Sequence, residues 1–182
     1  MLKKIAIAVA LIIIVIFTVA AAAVFLTGTE VSAEREVVIN KPRDLVFAYL
    51  KQVKNQNEWG TWYRRDPGMK QEATGTDGTA GFVSRWESTN PEVGSGEQEI
   101  KRIVEGEKID TELRFKAPFE SKADAYLVTE PVGAAQTRVR WGFRTEMPRP
   151  MNLMLLVMDL EQAIGKDYEE GLANLKQILE RP

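Results

Sequence analysis

The sequence predicts an α+β domain, a curved antiparallel sheet of about seven strands wrapped around one C-terminal helix, with a transmembrane helix in front of it. Three observations lead there. Residues 5 to 26, IAIAVALIIIVIFTVAAAAVFL, contain no charge, no Pro and no Gly. Between residues 70 and 146, strand-like runs alternate with Gly- and Pro-containing turns. From residue 151 to 180, apolar residues recur at intervals of three and four.

At about 1.5 Å per residue, the first run matches the roughly 30 Å hydrocarbon core of a bilayer. It reads as a membrane span behind a cytoplasmic N-terminus of residues 1 to 4. The rival reading is a secretory signal cleaved near Ala20 to Ala23 or after Val31-Ser32-Ala33, although the apolar run continues through Val24, Phe25 and Leu26. Lys3 and Lys4 precede the run and no basic residue follows until Arg35, so both readings place the rest of the chain on the periplasmic or extracellular side. Residues 27 to 33, TGTEVSA, read as a tether, and residues 34 to 182 as the domain.

In EREVVIN, residues 34 to 40, Val37 and Ile39 share one face of a half-buried strand. Pro42 ends it and suits the first turn of a helix, PRDLVFAYL, in which Leu45, Val46, Tyr49 and Leu50 keep helical spacing. NEWGTWY reads as a second short helix with Trp59 and Trp62 on one face, closed by the turn Asp66-Pro67-Gly68. Strands follow at 70–75, 81–88, 95–105, 108–116, 122–130 and 136–146, and connections this short make them hairpins. In the last strand, Thr137, Val139, Trp141, Phe143 and Thr145 point one way, and Arg138, Arg140, Arg144 and Glu146 the other. The stripe Leu153, Leu156, Leu160, Ile164, Tyr168, Leu172, Leu175 and Leu179 reads as one long helix covering the sheet.

Composition narrows the chemistry. The chain has 182 residues, with 24 Lys plus Arg against 26 Asp plus Glu; Lys3 and Lys4 lie ahead of the span, so the domain is mildly acidic and suits no nucleic acid partner. With no His and no Cys, a Ser-His-Asp or Cys-His arrangement cannot form, nor can a zinc site built on those ligands, and no metal or cofactor is expected. Glu97, Glu99, Asp159, Asp167, Glu169 and Glu170 have basic neighbours and read as solvated faces. The arginine row of the last strand is expected to pair with Glu97, Glu99, Asp110 and Glu112. GTDGTAG lacks the Lys-Ser/Thr of a phosphate loop and reads as a hairpin connection.

EREVVINKPRDLVFAYL, NEWGTWY, the EVGSG turn at 92 to 96, KAPFES at 116 to 121 and IGKDYEEGLANLKQILE at 164 to 180 together resemble the START-like, helix-grip (SRPBCC) superfamily, within it the polyketide cyclase/dehydrase-like branch. The resemblance spans residues 34 to 180 and implies a hydrophobic cavity between sheet and long helix. It supplies no catalytic motif, so no catalytic residue is assigned.

Strand alternation puts Phe82, Ser84 and Trp86 on one side, as it does Ile109, Thr111, Leu113 and Phe115, and Ala123, Ala125 and Leu127. Small residues at 123 and 125 opposite large rings either leave room for a ligand or complete a filled core. On the cavity reading, the ligand-binding candidates are Trp59, Trp62, Tyr63, Trp86, Gln98 and Trp141, with the helix carrying Trp59, Trp62 and Tyr63 as a lid and Trp59 facing the interior. The expected function is a membrane-anchored module that binds or carries a hydrophobic small molecule, such as a lipid, an isoprenoid or a polyketide-like compound. The alternatives are a cyclase/dehydrase-like enzyme, with Tyr63, Tyr126 or carboxylates in acid–base roles, and an envelope protein-interaction module.

Overall fold

A computed structural model describes residues 1–181 of the protein. The chain divides into two compact units, Met1–Val31 with Glu146–Leu160, and Ser32–Thr145 with the chain from Glu161 on. The first contains α1, Leu2–Leu26, a helix of 25 residues. Its apolar stretch, Lys3–Leu26, is long enough to cross a bilayer, and none of its most apolar window is buried by protein. The same unit holds a 3-10 segment, Met151–Leu156.

The sheet comprises β1 Glu30–Ile39, β2 Lys70–Thr74, β3 Val83–Glu87, β4 Ser95–Val104, β5 Lys108–Ala117, β6 Ser121–Gly133 and β7 Gln136–Glu146, in the order β1-β7-β6-β5-β4-β3-β2. From β2 to β6 each strand pairs antiparallel with the next, as the Gly-rich connections require, and β7 follows β6 the same way. β1 begins at Glu30, so Glu30–Ala33 are strand rather than tether. The alternation that starts at Val37 and Ile39 extends back through the buried Ala33 and Val31.

Between β1 and β2 lie α2 Arg43–Lys51, a 3-10 turn Val53–Asn55, α3 Gln56–Trp59 and α4 Thr61–Arg65. NEWGTWY is therefore two short helices, because Gly60 is extended (φ −68°, ψ 142°) and serves as C-cap of one and N-cap of the next. The GTDGTAG connection is a hairpin loop with a second role. The Asp77 carboxylate accepts hydrogen bonds from the backbone N–H groups of Val53 and Lys54 at 2.8 and 3.1 Å, capping the 3-10 turn.

The C-terminal helix, α5, runs Leu160–Leu179. The predicted helix from residue 151 is thus shorter by its first nine residues. Val157 leaves helical geometry (φ −122°, ψ −13°), and Asp159 precedes Leu160 as the residue type that favours an N-cap. Leu156, placed on the stripe by its spacing, is 63% exposed. From Ile164 on the stripe holds: Tyr168, Leu172 and Leu175 are buried in one core with Ile39, Val46, Phe47, Leu50, Trp59, Phe82, Ile100, Val139 and Trp141. Arg35 of β1 fastens the helix by donating to Glu161 and Glu169 at 2.8 and 2.6 Å.

The outer sheet face is laced with ion pairs, but not with the partners expected for the arginine row. β7 lies between β1 and β6, so Arg138 pairs with Glu36 and Glu130, and Arg140 with Glu34 and Glu130. Glu97, Glu99 and Glu112 instead surround Arg114 of β5, with Arg85 of β3 also on Glu97. Cross-strand pairing requires neighbouring strands, and two strands separate β7 from β4.

Candidate functional site

The second unit encloses a cavity of about 380 Å³ between the sheet, α3–α4 and α5. Its floor comes from inward positions of successive strands: Ser84 and Trp86 of β3, Gln98 of β4, Leu113 and Phe115 of β5, Ala125 of β6, Trp141 and Phe143 of β7. These positions face one another across the register, with Ser84 opposite Gln98, Gln98 opposite Leu113, and Ala125 opposite Phe143. Period-two alternation on five adjacent strands delivers all of them to one face. Ala125 keeps the floor low between rings.

The opposite wall is α5, through Ala163, Ile164, Asp167 and Tyr168. Tyr168 lies flat on Trp141, with ring centroids 3.8 Å apart and planes 1° from parallel. Trp62 of α4 meets both edge-on, at 5.9 Å from Trp141 and 6.1 Å from Tyr168. Two glycines let the rings approach. A Cβ on Gly171 would lie 2.9 Å from the Trp141 ring, and one on Gly96 would lie 2.7 Å from Trp86. Trp86 in turn donates its indole N–H to the Val93 carbonyl at 3.3 Å and meets Phe115 edge-on at 5.9 Å.

Polar groups are few and uneven. At the rim, Asn57 and Gln71 exchange two amide hydrogen bonds, at 2.8 and 3.0 Å, and Arg65 of α4 forks onto Asp167 of α5. These contacts tie the short helices to the sheet edge and to the long helix. Deeper in, the Gln98 amide reaches Thr111 only at 3.5 Å. Tyr168 is 2% exposed. Burial raises its pKa far above the ordinary tyrosine range, so it remains a neutral donor.

Of the residues singled out from sequence, Trp62, Tyr63, Trp86, Gln98 and Trp141 line the cavity. Trp59 does not: it is 0% exposed and stands behind the wall, edge-on to Trp141 at 4.8 Å. Its backbone carbonyl accepts a hydrogen bond from Asn174 of α5 at 3.3 Å. Because Gly60 separates the two short helices, Trp59 and Trp62 do not share one helical face. Tyr168 and Leu113 were legible only as members of a stripe and a strand face; the cue to Tyr168 was a hydroxyl on an otherwise aliphatic helix face. Among the described residues, no group of three or more Asp or Glu is placed to hold a metal ion.

Solved structures share the fold. A protein from Nitrosospira multiformis aligns with TM-score 0.59 at 16% identity, covering 82% of this chain and 96% of its own. One from Chromobacterium violaceum gives 0.57 at 13%, covering 83% and 98%, and one from Mesorhizobium loti 0.58 at 14%, covering 83% and 98%. No curated protein sequence matches the chain. The profile described as polyketide cyclase/dehydrase and lipid transport matches residues 30–180, from the first residue of β1 to just past the end of α5. With a sheet that grips a single long helix over that whole span, the chain belongs to this family of the SRPBCC, helix-grip superfamily.

Proposed function

We propose that the protein is a membrane-anchored module that binds or carries an amphipathic small molecule in the cavity between the sheet and α5. The observation that carries this reading is the cavity itself. Its volume of about 380 Å³ falls in the range of ~300 to 1,000 Å³ usual for small-molecule sites, and rings held rigidly by one another form much of its wall. A filled core would close such a space, since each void forfeits dispersion contacts.

The polar groups define the occupant. Trp62, Tyr63, Trp86 and Trp141 offer flat apolar surface, while Gln98 and the Tyr168 hydroxyl offer the hydrogen bonds. An acceptor on the ligand, such as a carbonyl, ester or hydroxyl oxygen, would add a hydrogen bond worth roughly 0.5–1.5 kcal/mol. The occupant is thus mostly hydrocarbon or ring with an oxygen placed over α5. Trp59 supports the site indirectly, by holding Trp141 in place.

α1 anchors the module, with the N-terminal lysines on the cytoplasmic side and the domain on the outer side. Retention of α1 against cleavage after Ala33 is supported by Asn152, which is 0% exposed and spends its amide hydrogens on Val24 and Thr27, both of which that cleavage would detach.

Native mass spectrometry of the full chain released from detergent micelles tests the reading. A bound mass in the range of a small lipid or polyketide-like molecule is expected, with weaker retention in Tyr168→Phe and no change in thermal midpoint. A chain that arrives without any added mass, and takes up none from a membrane lipid extract, would count against it.

A further inference from the structure

The segment that joins β7 to α5 carries an apolar surface that α5 does not absorb. Met151, Met154, Leu156, Val157 and Met158 are 39%, 37%, 63%, 85% and 44% exposed, and nothing from Pro150 to Met158 bears a charge. In water, a contiguous patch of this kind is unfavourable in proportion to its area, and its presence marks a contact surface.

What covers it follows from where the segment is tied. The buried Asn152 donates to the carbonyls of Val24 and Thr27, both at 2.9 Å. Arg149 Nε donates to the Val24 carbonyl at 3.2 Å, and its guanidinium sits 5.9 Å from the Phe25 ring. The Met147 N–H donates to the Thr29 carbonyl at 2.7 Å. Carbonyls in the last turn of a helix have no partner within it, and a cation beside them is favoured by the helix dipole. Residues 147–152 therefore cap the C-terminal end of α1. When α1 spans a bilayer, that end lies where hydrocarbon gives way to headgroups, and whatever is fixed to it lies at the same depth. An uncharged apolar segment flanked by an arginine and an aromatic ring suits that depth.

We propose that residues 150–158 form a second membrane contact, resting in the outer leaflet beside the emerging end of α1, with Leu156 and Val157 toward the acyl chains and Arg149 at the phosphates. This rests on α1 being a span. The lipid surface then covers the patch, and the point where β7 gives way to α5 is held at the membrane.

The chain has no cysteine, so a single one accepts a nitroxide label without other changes. Full-length Val157→Cys and Ile13→Cys, labelled and reconstituted into vesicles of phosphatidylethanolamine and phosphatidylglycerol, are compared by collision with oxygen, which concentrates in lipid, and with a water-soluble nickel chelate. The expected result is oxygen-dominated relaxation at both positions, with residue 157 shallower than residue 13. Nickel-dominated relaxation at 157 with oxygen-dominated relaxation at 13 would overturn the second contact and leave the span standing. A label at 157 shielded from both reagents would overturn it in favour of a protein partner. Nickel access at 13 would remove the span and this inference with it.

Discussion

At residue scale the site depends on close approaches that no single residue announces. A glycine inside a helix ordinarily weakens it, yet the missing Cβ of Gly171 is where the Trp141 ring rests. Gly171→Ala is expected to lose roughly 1–3 kcal/mol, as for an overpacked core position, despite the better helix propensity of alanine. Urea denaturation checks this, and a rise in the midpoint would show that the Trp141–Tyr168 stack yields easily. Trp141 and Phe143 were legible as inward because alternation on a half-buried strand admits no other answer. Trp59 was not: the spacing of 59 and 62 suggests one helix face, and only the extended backbone at Gly60 shows that the rings belong to different helices.

At element scale the outer sheet face balances charge strand by strand. Hydrogen bonds from Arg114 to Glu97 and Glu99 hold both carboxyls below the ordinary range. A carboxylate with a depressed folded value adds stability that is complete above its unfolded pKa, about 4.3 for Glu, and fades as pH falls through the lower folded value. Arg114→Met should therefore flatten the acid limb of a plot of denaturation midpoint against pH, while differing less from the parent once both carboxyls are protonated. Parallel acid limbs for the two proteins would show that these surface pairs contribute nothing measurable. The strands and the hairpin pairing from β2 to β7 were legible because those connections are short and mostly marked by Gly or Pro, while the place of β1 beside β7 was not. The extent of α5 was not, since the intervals of three and four run unbroken from Leu153 into the helix. Periodicity cannot distinguish an apolar face turned to a core from one turned elsewhere, and here the two meet at Asp159.

At the scale of the whole molecule the unit containing α1 is not confined to the N-terminus, because Glu146–Leu160 belongs to it. A chain truncated to begin at Glu30 keeps every strand but leaves the Asn152 amide without Val24 and Thr27 and the 150–158 surface without α1. It is expected to self-associate as its concentration rises, read by sedimentation velocity; a strictly monomeric fragment would mean that this surface is tolerated in water. The long apolar helix, the sheet and the family likeness were visible from residues alone, while this return of residues 146–160 to α1 was not, because it depends on a side-chain amide meeting carbonyls more than a hundred positions away. One consequence of the ring cluster is optical. All four tryptophans of the chain either line the cavity or, in the case of Trp59, touch a ring that does. Nearly every photon the protein emits under indole excitation thus originates at the cavity wall, and an arriving occupant would change the colour and lifetime of that light without any added dye.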